Sequence, residues 1–342
     1  MKKGFSAYLK DYMMLLVLVV LLAVFSVLGP VVAHRQFFNL ANLLTMLNQN
    51  AYLVILGVGI TFIMLGGGMD LSTGFLISTV GVCMALLENS TNLFVALVCG
   101  ILLAVLLSAF NGVMYSWLRV FPFIITLGTQ YVLNGATYLL TGGISKTNYV
   151  STAFKLIGGM NMRIGSGALK TGVLVMIVMV IVGSFILNKT YFGRNVYALG
   201  SNPDAVALSG VSVAKMRIAI FALAGFFFGV AQIVNIGVNG GAMNQGLGIG
   251  SEFTVMAGAM LGGVKMGGGG GKMSNMVIGV LIIGLLDYGM TFLNINQYWK
   301  YVVLGIALLA AVTMDTLQTR AAANAAKKVT GSAPAESASD AS

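Results

Sequence analysis

Residues 50–88 read NAYLVILGVGITFIMLGGGMDLSTGFLISTVGVCMALLE. Two apolar runs, 50–66 and 72–88, are separated only by the polar, glycine-rich break GGGMDLS (66–72). Each run approaches the ~20 residues that carry a helix across hydrocarbon. Neither shows the in-and-out alternation of an outer-membrane barrel strand. The same kind of run recurs at 12–31, 92–116, 120–140, 171–188, 216–238, 252–264, 275–293 and 299–315, about ten candidate spans in all. The run at 252–264 is short and broken by glycine. Composition agrees: 58% of the 342 residues are apolar and only 8% are charged, where a soluble domain carries roughly 25% charge. Mean hydropathy is +0.94. A water-soluble enzyme is excluded, and the predicted fold class is all-α, a polytopic protein of the lipid bilayer. One transmembrane domain is expected over 1–316, followed at 317–342 by a small, polar, low-complexity tail that cannot bury enough apolar surface to order itself.

Lys and Arg in alternate loops set the orientation. With the N-terminus inside, the inner side carries 13 and the outer side 6, so both termini are expected in the cytoplasm. The net charge of +10 is read as this bias and not as affinity for nucleic acid. The first run is longer than the apolar core of a signal peptide and is expected to stay as an anchor. Between the fifth and sixth spans, 141–170 is polar and carries four basic residues, which suggests a small folded outer element. Cys83 and Cys99 lie in apolar runs and His34 is the single histidine. A disulfide framework, a structural zinc site and a Cys–His nucleophile all lack material, so no catalytic or metal-ligating set is expected.

The run MGGGGGKMS (266–274) superficially resembles a phosphate-binding loop. That motif requires G-x-x-x-x-G-K-[ST], with the last hydroxyl on magnesium. Here Met266 and Met273 occupy its first and last positions, so the chain is not expected to bind ATP through it. The cytoplasmic loop 189–217 contains a short helix with its own punctuation. Asn202 caps it, Pro203 stands at its first position, Asp204 suits the positive end of its dipole, and Gly210 supplies a left-handed stop. Ala205, Val206 and Leu208 give it a small apolar face. Such a helix either docks a partner or lies on the lipid interface.

Acidic residues near hydrocarbon are few: Asp70 in the break, Glu88, Glu252, Asp287 within a span, and Asp315. A chain of acids through the middle, as an ion-coupled carrier uses, is thin here. Amides and hydroxyls are more numerous: Thr126, Thr129, Gln130 and Asn134 in one span, and Gln232, Asn235 and Asn239 at helical spacing in another. Amides both donate and accept. They suit a path for an uncharged, hydroxyl-rich solute, and equally suit hydrogen bonding between helices. Gly225 with Gly229 and Gly258 with Gly262 are read as close helix packing.

Four segments in order carry a family resemblance over about residues 37–316: GGGMDLSTG (66–74), FIITLGTQYVLNGATYLLTGG (123–143), YALGSNPDAVALSGVSV (197–213) and GIGSEFTVMAGAMLGGVKMGGGGGK (248–272). The chain resembles the permease subunit of bacterial ATP-binding-cassette importers for monosaccharides, the ribose, xylose, arabinose and galactose group. It departs from that pattern at Met69, Pro203-Asp204 and Met266-Gly267. The resemblance implies a homodimeric bundle similar to the cobalamin importers, in a bacterial plasma membrane, with the translocation path near the dimer axis. It implies that ATP is bound by a separate ATPase subunit, so that this chain is no enzyme and holds no cofactor. An extracytoplasmic sugar-binding protein is the implied partner on the other face. The segment 202–210 then becomes the coupling helix, with Asn202, Asp204, Ala205, Leu208 and Gly210 as docking residues. Asp70, Thr129, Gln130, Asn134, Asn235 and Asn239 are the candidate path residues. The rival expectations are the same scaffold carrying a nucleoside or an autoinducer-type sugar, a stand-alone ion-coupled carrier, and a membrane scaffold without transport.

Overall fold

The computed structural model describes residues 5–143, 152–241, 243–296 and 298–330. In chain order the helices are α1 (Phe5–Leu28), which runs into a π-helical turn at Gly29–Ala33, α2 (Leu40–Leu65), α3 (Thr73–Ser90), α4 (Leu93–Leu118), α5 (Pro122–Thr141) and the short α6 (Thr152–Gly158). An antiparallel hairpin follows, β1 (Asn161–Ile164) with β2 (Gly167–Lys170). The chain then forms α7 (Thr171–Lys189), α8 (Tyr191–Ser201), α9 (Pro203–Leu208), α10 (Val213–Val238), α11 (Ser251–Leu261), α12 (Met273–Phe292) and α13 (Tyr298–Thr330). Among the described residues, seven helices are long and apolar enough to cross a membrane: α1 with its turn, α2, α3, α4, α7, α10 and α12. α5 has 20 residues but mixes Thr, Gln and Asn into its apolar sequence, and α13 contributes a shorter apolar stretch at Tyr298–Ala310.

The run expected to span at 252–264 is instead the 11-residue α11. At 1.5 Å per residue it rises only about 16 Å, half the hydrocarbon thickness. Gly250 (φ +87°) starts it and Gly262 ends it. α2 begins ten residues before the expected span. Asn39 accepts a hydrogen bond from the Asn42 backbone N–H at 2.8 Å and caps a polar opening, Asn42 to Asn50, that hydropathy alone assigns to a loop. α13 continues past 317, where the disordered tail was expected to begin, because the run AAANAA (321–326) is rich in the strongest helix former. Residues 331–342 of that tail lie outside the described residues. Of the segment 141–170, α6 and the hairpin are folded as expected, and 144–151 lies outside the described residues.

α2 and α10 form the buried centre, with fully buried Phe62, Phe227 and Phe228 between them. α10 packs closely on α4. A Cβ at Gly225 would come within 2.6 Å of the Ala104 carbonyl, and one at Gly229 within 3.0 Å of Ile101 Cα. Gly258 likewise lets α11 approach Val280 of α12. These are the close helix approaches read from small residues four apart.

The two ends of α2 differ in what they hold. At its N-terminal end, Asn48 Nδ2 donates to the Ala168 carbonyl and Asn48 Oδ1 accepts from the Lys170 N–H, both at 2.8 Å, which clamps the hairpin. At its C-terminal end, the Leu65 carbonyl accepts from the Gly269 N–H at 2.9 Å, seating the glycine-rich turn 267–272. Seventeen residues of helix, from Asn48 to Leu65, separate these features by about 26 Å. The hairpin and the glycine turn therefore occupy opposite ends of the bundle.

Candidate translocation and docking sites

The break between α2 and α3 is held by a polar chain. Asp70 is buried, 1% exposed. Its Oδ1 accepts from the Ser72 N–H at 2.8 Å and from the Ser72 hydroxyl at 2.6 Å. Ser72 Oγ accepts from Asn111 Nδ2 of α4 at 2.9 Å. Asn111 Oδ1 in turn accepts from the Thr129 hydroxyl of α5 at 2.7 Å. The neighbouring Leu71 N–H donates to Thr126 Oγ1 at 3.1 Å. Asp70 and Thr129, singled out separately in the sequence, are thus joined through Ser72 and Asn111. Asp70 Oδ2 is buried without a hydrogen-bond partner among the described residues. Asn111 was missed, although an amide well inside the largely apolar run 93–116 is the signal that marks it.

A second feature is a cavity of about 710 Å³ bounded by α2, α5, α10, α11, α12 and α13. That volume is in the range of small-molecule sites. Its polar lining includes Gln49, Gln130, Asn235, Asn239, Glu252 and Tyr288. Gln130 Oε1 is shielded from solvent and has no hydrogen-bond partner among the described residues. The amides of α10 form a ladder. Asn239 Nδ2 donates to the Asn235 carbonyl at 2.8 Å and to Asn235 Oδ1 at 2.9 Å. Asn235 Nδ2 donates to Gln232 Oε1 at 3.2 Å and to the Leu247 carbonyl at 3.3 Å. Gln232 is fully buried and its Nε2 meets Met243 Sδ, so its role is packing. Asn134 is half-buried on α5 and is not part of the cavity wall. Asp70 and Thr129 also lie away from this wall.

Glu252, in the first turn of α11, was not among the candidate path residues, yet it lines the cavity. Its Oε2 accepts from the Gly250 N–H at 3.1 Å and rests against Gly74 of α3, where a side chain would collide with it. The Gly248 N–H donates to Ser78 Oγ at 2.9 Å. The broken start of α11 is therefore tied to α3 beside the cavity, as half-helix termini in membrane proteins border polar spaces. Asp287, read as lying well inside a span, forms an ion pair with Lys300 at 2.8 Å at the cavity edge.

The third feature is at the glycine-turn end. α9 is six residues long and satisfied at both termini. Asn202 Oδ1 accepts from the Asp204 and Ala205 N–H groups at 3.0 and 3.1 Å. The Gly210 N–H donates to the Ala207 carbonyl and the Val211 N–H to the Val206 carbonyl, with Gly210 at φ +84°. Val206 faces inward, whereas Leu208 is 90% exposed. Of the three apolar residues expected on one face, Val206 holds the helix to the bundle, and Ala205 and Leu208 are left outside. α8 leads into α9 across a backbone junction: a Cβ on Gly268 would lie 2.7 Å from Gly200 Cα and 2.9 Å from Gly67 Cα. The Tyr197 hydroxyl donates to the Gly271 carbonyl at 2.9 Å, and burial pushes its ionisation up. The end of α8, the glycine turn and the first residues of the break thus meet at one point.

The chain is similar to known proteins over most of its length. The family described as branched-chain amino acid transport system / permease component matches residues 42–312. The galactose/methyl galactoside import permease protein of Escherichia coli K12 is 32% identical over 332 residues, 93% of this chain and 97% of that protein. The ribose import permease protein of the same strain is 32% identical over 313 residues, 91% of this chain and 95% of that protein. Its D-allose transport system permease protein is 29% identical over 316 residues, covering 92% and 94%. No solved structure matches.

Proposed function

Because this chain belongs to the permease-component family that matches residues 42–312, we propose that it is the membrane subunit of an ATP-driven importer that moves a monosaccharide inward. The observation that carries the reading is α9. It is a helix capped at both ends, set between α8 and α10, that leaves Leu208 90% exposed at the end of the bundle opposite the hairpin. A separate ATPase subunit seats on that helix and binds the ATP, so this chain needs no cofactor of its own. Both termini then lie in the cytoplasm, and the hairpin end faces the extracytoplasmic sugar-binding protein.

The relatives named for galactose, ribose and D-allose import support a neutral, hydroxyl-rich solute. The amide lining of Gln49, Gln130 and Asn239 suits it, because amides match hydroxyls as donors and acceptors. A second copy of the chain packs along α5, with the path beside it. Positions 128 and 135 of α5 are glycines with open space beside them, and Tyr131 and Tyr138 are exposed on the same helix. α4 exposes large apolar side chains, such as Leu102, Leu106 and Phe110, which suit lipid.

The switch follows from the packing. Movement of α9 is passed through α8 to the junction of Gly67, Gly200 and Gly268, and from there to the break held by Asp70, Ser72, Asn111 and Thr129. A packed junction of this kind shifts between discrete arrangements and does not deform smoothly. Purification of the tagged permease from native membranes tests the reading. A stoichiometric ATPase accompanies the wild type and is lost with Leu208→Asp, while the variant still inserts in the membrane. Sugar uptake that survives Leu208→Asp would refute it.

A further inference from the structure

Beside α9 lies a cavity of about 590 Å³ whose wall includes Gly67, Tyr115, Arg119, Asp204, Ala207 and Arg217. Two guanidinium groups therefore border one pocket. Arg217 stacks on the Tyr115 ring at 4.2 Å, which fixes its orientation. Its Nε is shielded from solvent and has no hydrogen-bond partner among the described residues. Arg119 is exposed at the end of α4 in a left-handed backbone conformation, φ +54°. Asp204 is the one acid in the wall, and among the described residues neither arginine forms an ion pair with it. The pocket thus holds an excess of positive charge with unspent donors. It shares Pro203, Asp204 and Ala207 with α9, so a partner seated on α9 lies beside it.

Covering two cations that have only Asp204 as an acid in the wall is costly, whereas a second carboxylate in the pocket forms charge-assisted bonds to a pre-oriented guanidinium. We infer that the Arg119–Arg217 pocket receives an aspartate or glutamate side chain of the ATPase subunit, which fixes how that subunit sits on α9. This rests on the reading of α9 as the ATPase dock. The exposed Leu208 supplies the apolar contact and the pocket supplies orientation and charge selectivity.

The test is retention of the co-purifying ATPase by tagged permease in nanodiscs, washed with rising KCl. The variants are Arg119→Asn, Arg217→Gln, the double variant and Leu208→Asp. Asparagine tolerates the left-handed conformation at 119, so Arg119→Asn removes charge without straining the chain and stands even if Arg217→Gln folds poorly. The expected result is about tenfold weaker retention for each arginine variant at low salt. In the double variant, retention no longer depends on KCl. Retention by Arg119→Asn equal to wild type at every KCl concentration, with Leu208→Asp still losing the ATPase, overturns the pocket alone. Wild type without any ATPase overturns the reading of α9 and the pocket with it. Retention that needs phosphatidylglycerol in the disc and fails in pure phosphatidylcholine assigns the pocket to a lipid headgroup and likewise overturns the inference.

Discussion

Asn111→Leu removes the central member of the chain that closes the α2–α3 break. Asn111 is fully buried, donates to Ser72 Oγ at 2.9 Å and accepts from Thr129 Oγ1 at 2.7 Å. Leucine keeps the volume and loses both bonds. A hydrogen bond between membrane helices contributes about 0.6 kcal/mol on average and up to about 1.7, so the expected destabilisation is about 1–3 kcal/mol. Thr129→Val removes only the second bond and should cost about 0.5–1.5 kcal/mol. In the double variant that bond is already gone, so the two effects should fall short of their sum by about 0.5–1.5 kcal/mol. Reversible unfolding in mixed SDS and dodecyl maltoside micelles measures all four corners of the cycle. Thr313→Val is the control partner, because its exposed hydroxyl bonds to the Leu309 carbonyl one turn back in α13, and with Asn111→Leu it should be additive. Additivity of Asn111→Leu and Thr129→Val within about 0.3 kcal/mol would refute the chain as an energetic link between α4 and α5.

Gly200→Ala places a Cβ against the Leu65 carbonyl and within 2.5 Å of the Gly269 nitrogen; uptake should be lost, whereas Gly128→Ala, with open space around it, should leave the isolated protomer's stability unchanged in the same unfolding assay. Asn202→Ala removes both bonds that cap α9 and costs about 1 kcal/mol. Hydrogen exchange of the amides in 204–208 should then rise about fivefold, with Asn202→Ser close to wild type. The Asp287–Lys300 pair has both side chains over a third exposed, so Asp287→Asn with Lys300→Gln should change stability by at most about 1 kcal/mol. Uptake that stays ATP-driven in this pair of substitutions fits an importer, and uptake abolished without loss of the folded protein would point back to an ion-coupled carrier.

The membrane character, the helical class and the short capped helix at 203–208 were legible in the chain. Continuous apolar runs admit no other low-energy state in hydrocarbon, and the punctuation of Asn202, Pro203 and Gly210 is local chemistry that acts within a few residues. The break at 66–72 and the close-packing glycines of α10 were legible for the same reason. Tertiary structure decided what those elements touch. The polar start of α2 looks like a loop until the hairpin 161–170 packs on it. The run at 252–264 looks like a span until Gly250 and Gly262 cut it to 11 residues. Asn111 and Glu252 look like isolated polar residues until α4 meets the break and α11 meets Gly74. Gly67, Gly200 and Gly268 are far apart in sequence and acquire a joint role only where three backbones meet. Local interactions write the elements into the sequence, but contacts between residues distant along the chain depend on packing that no local pattern encodes.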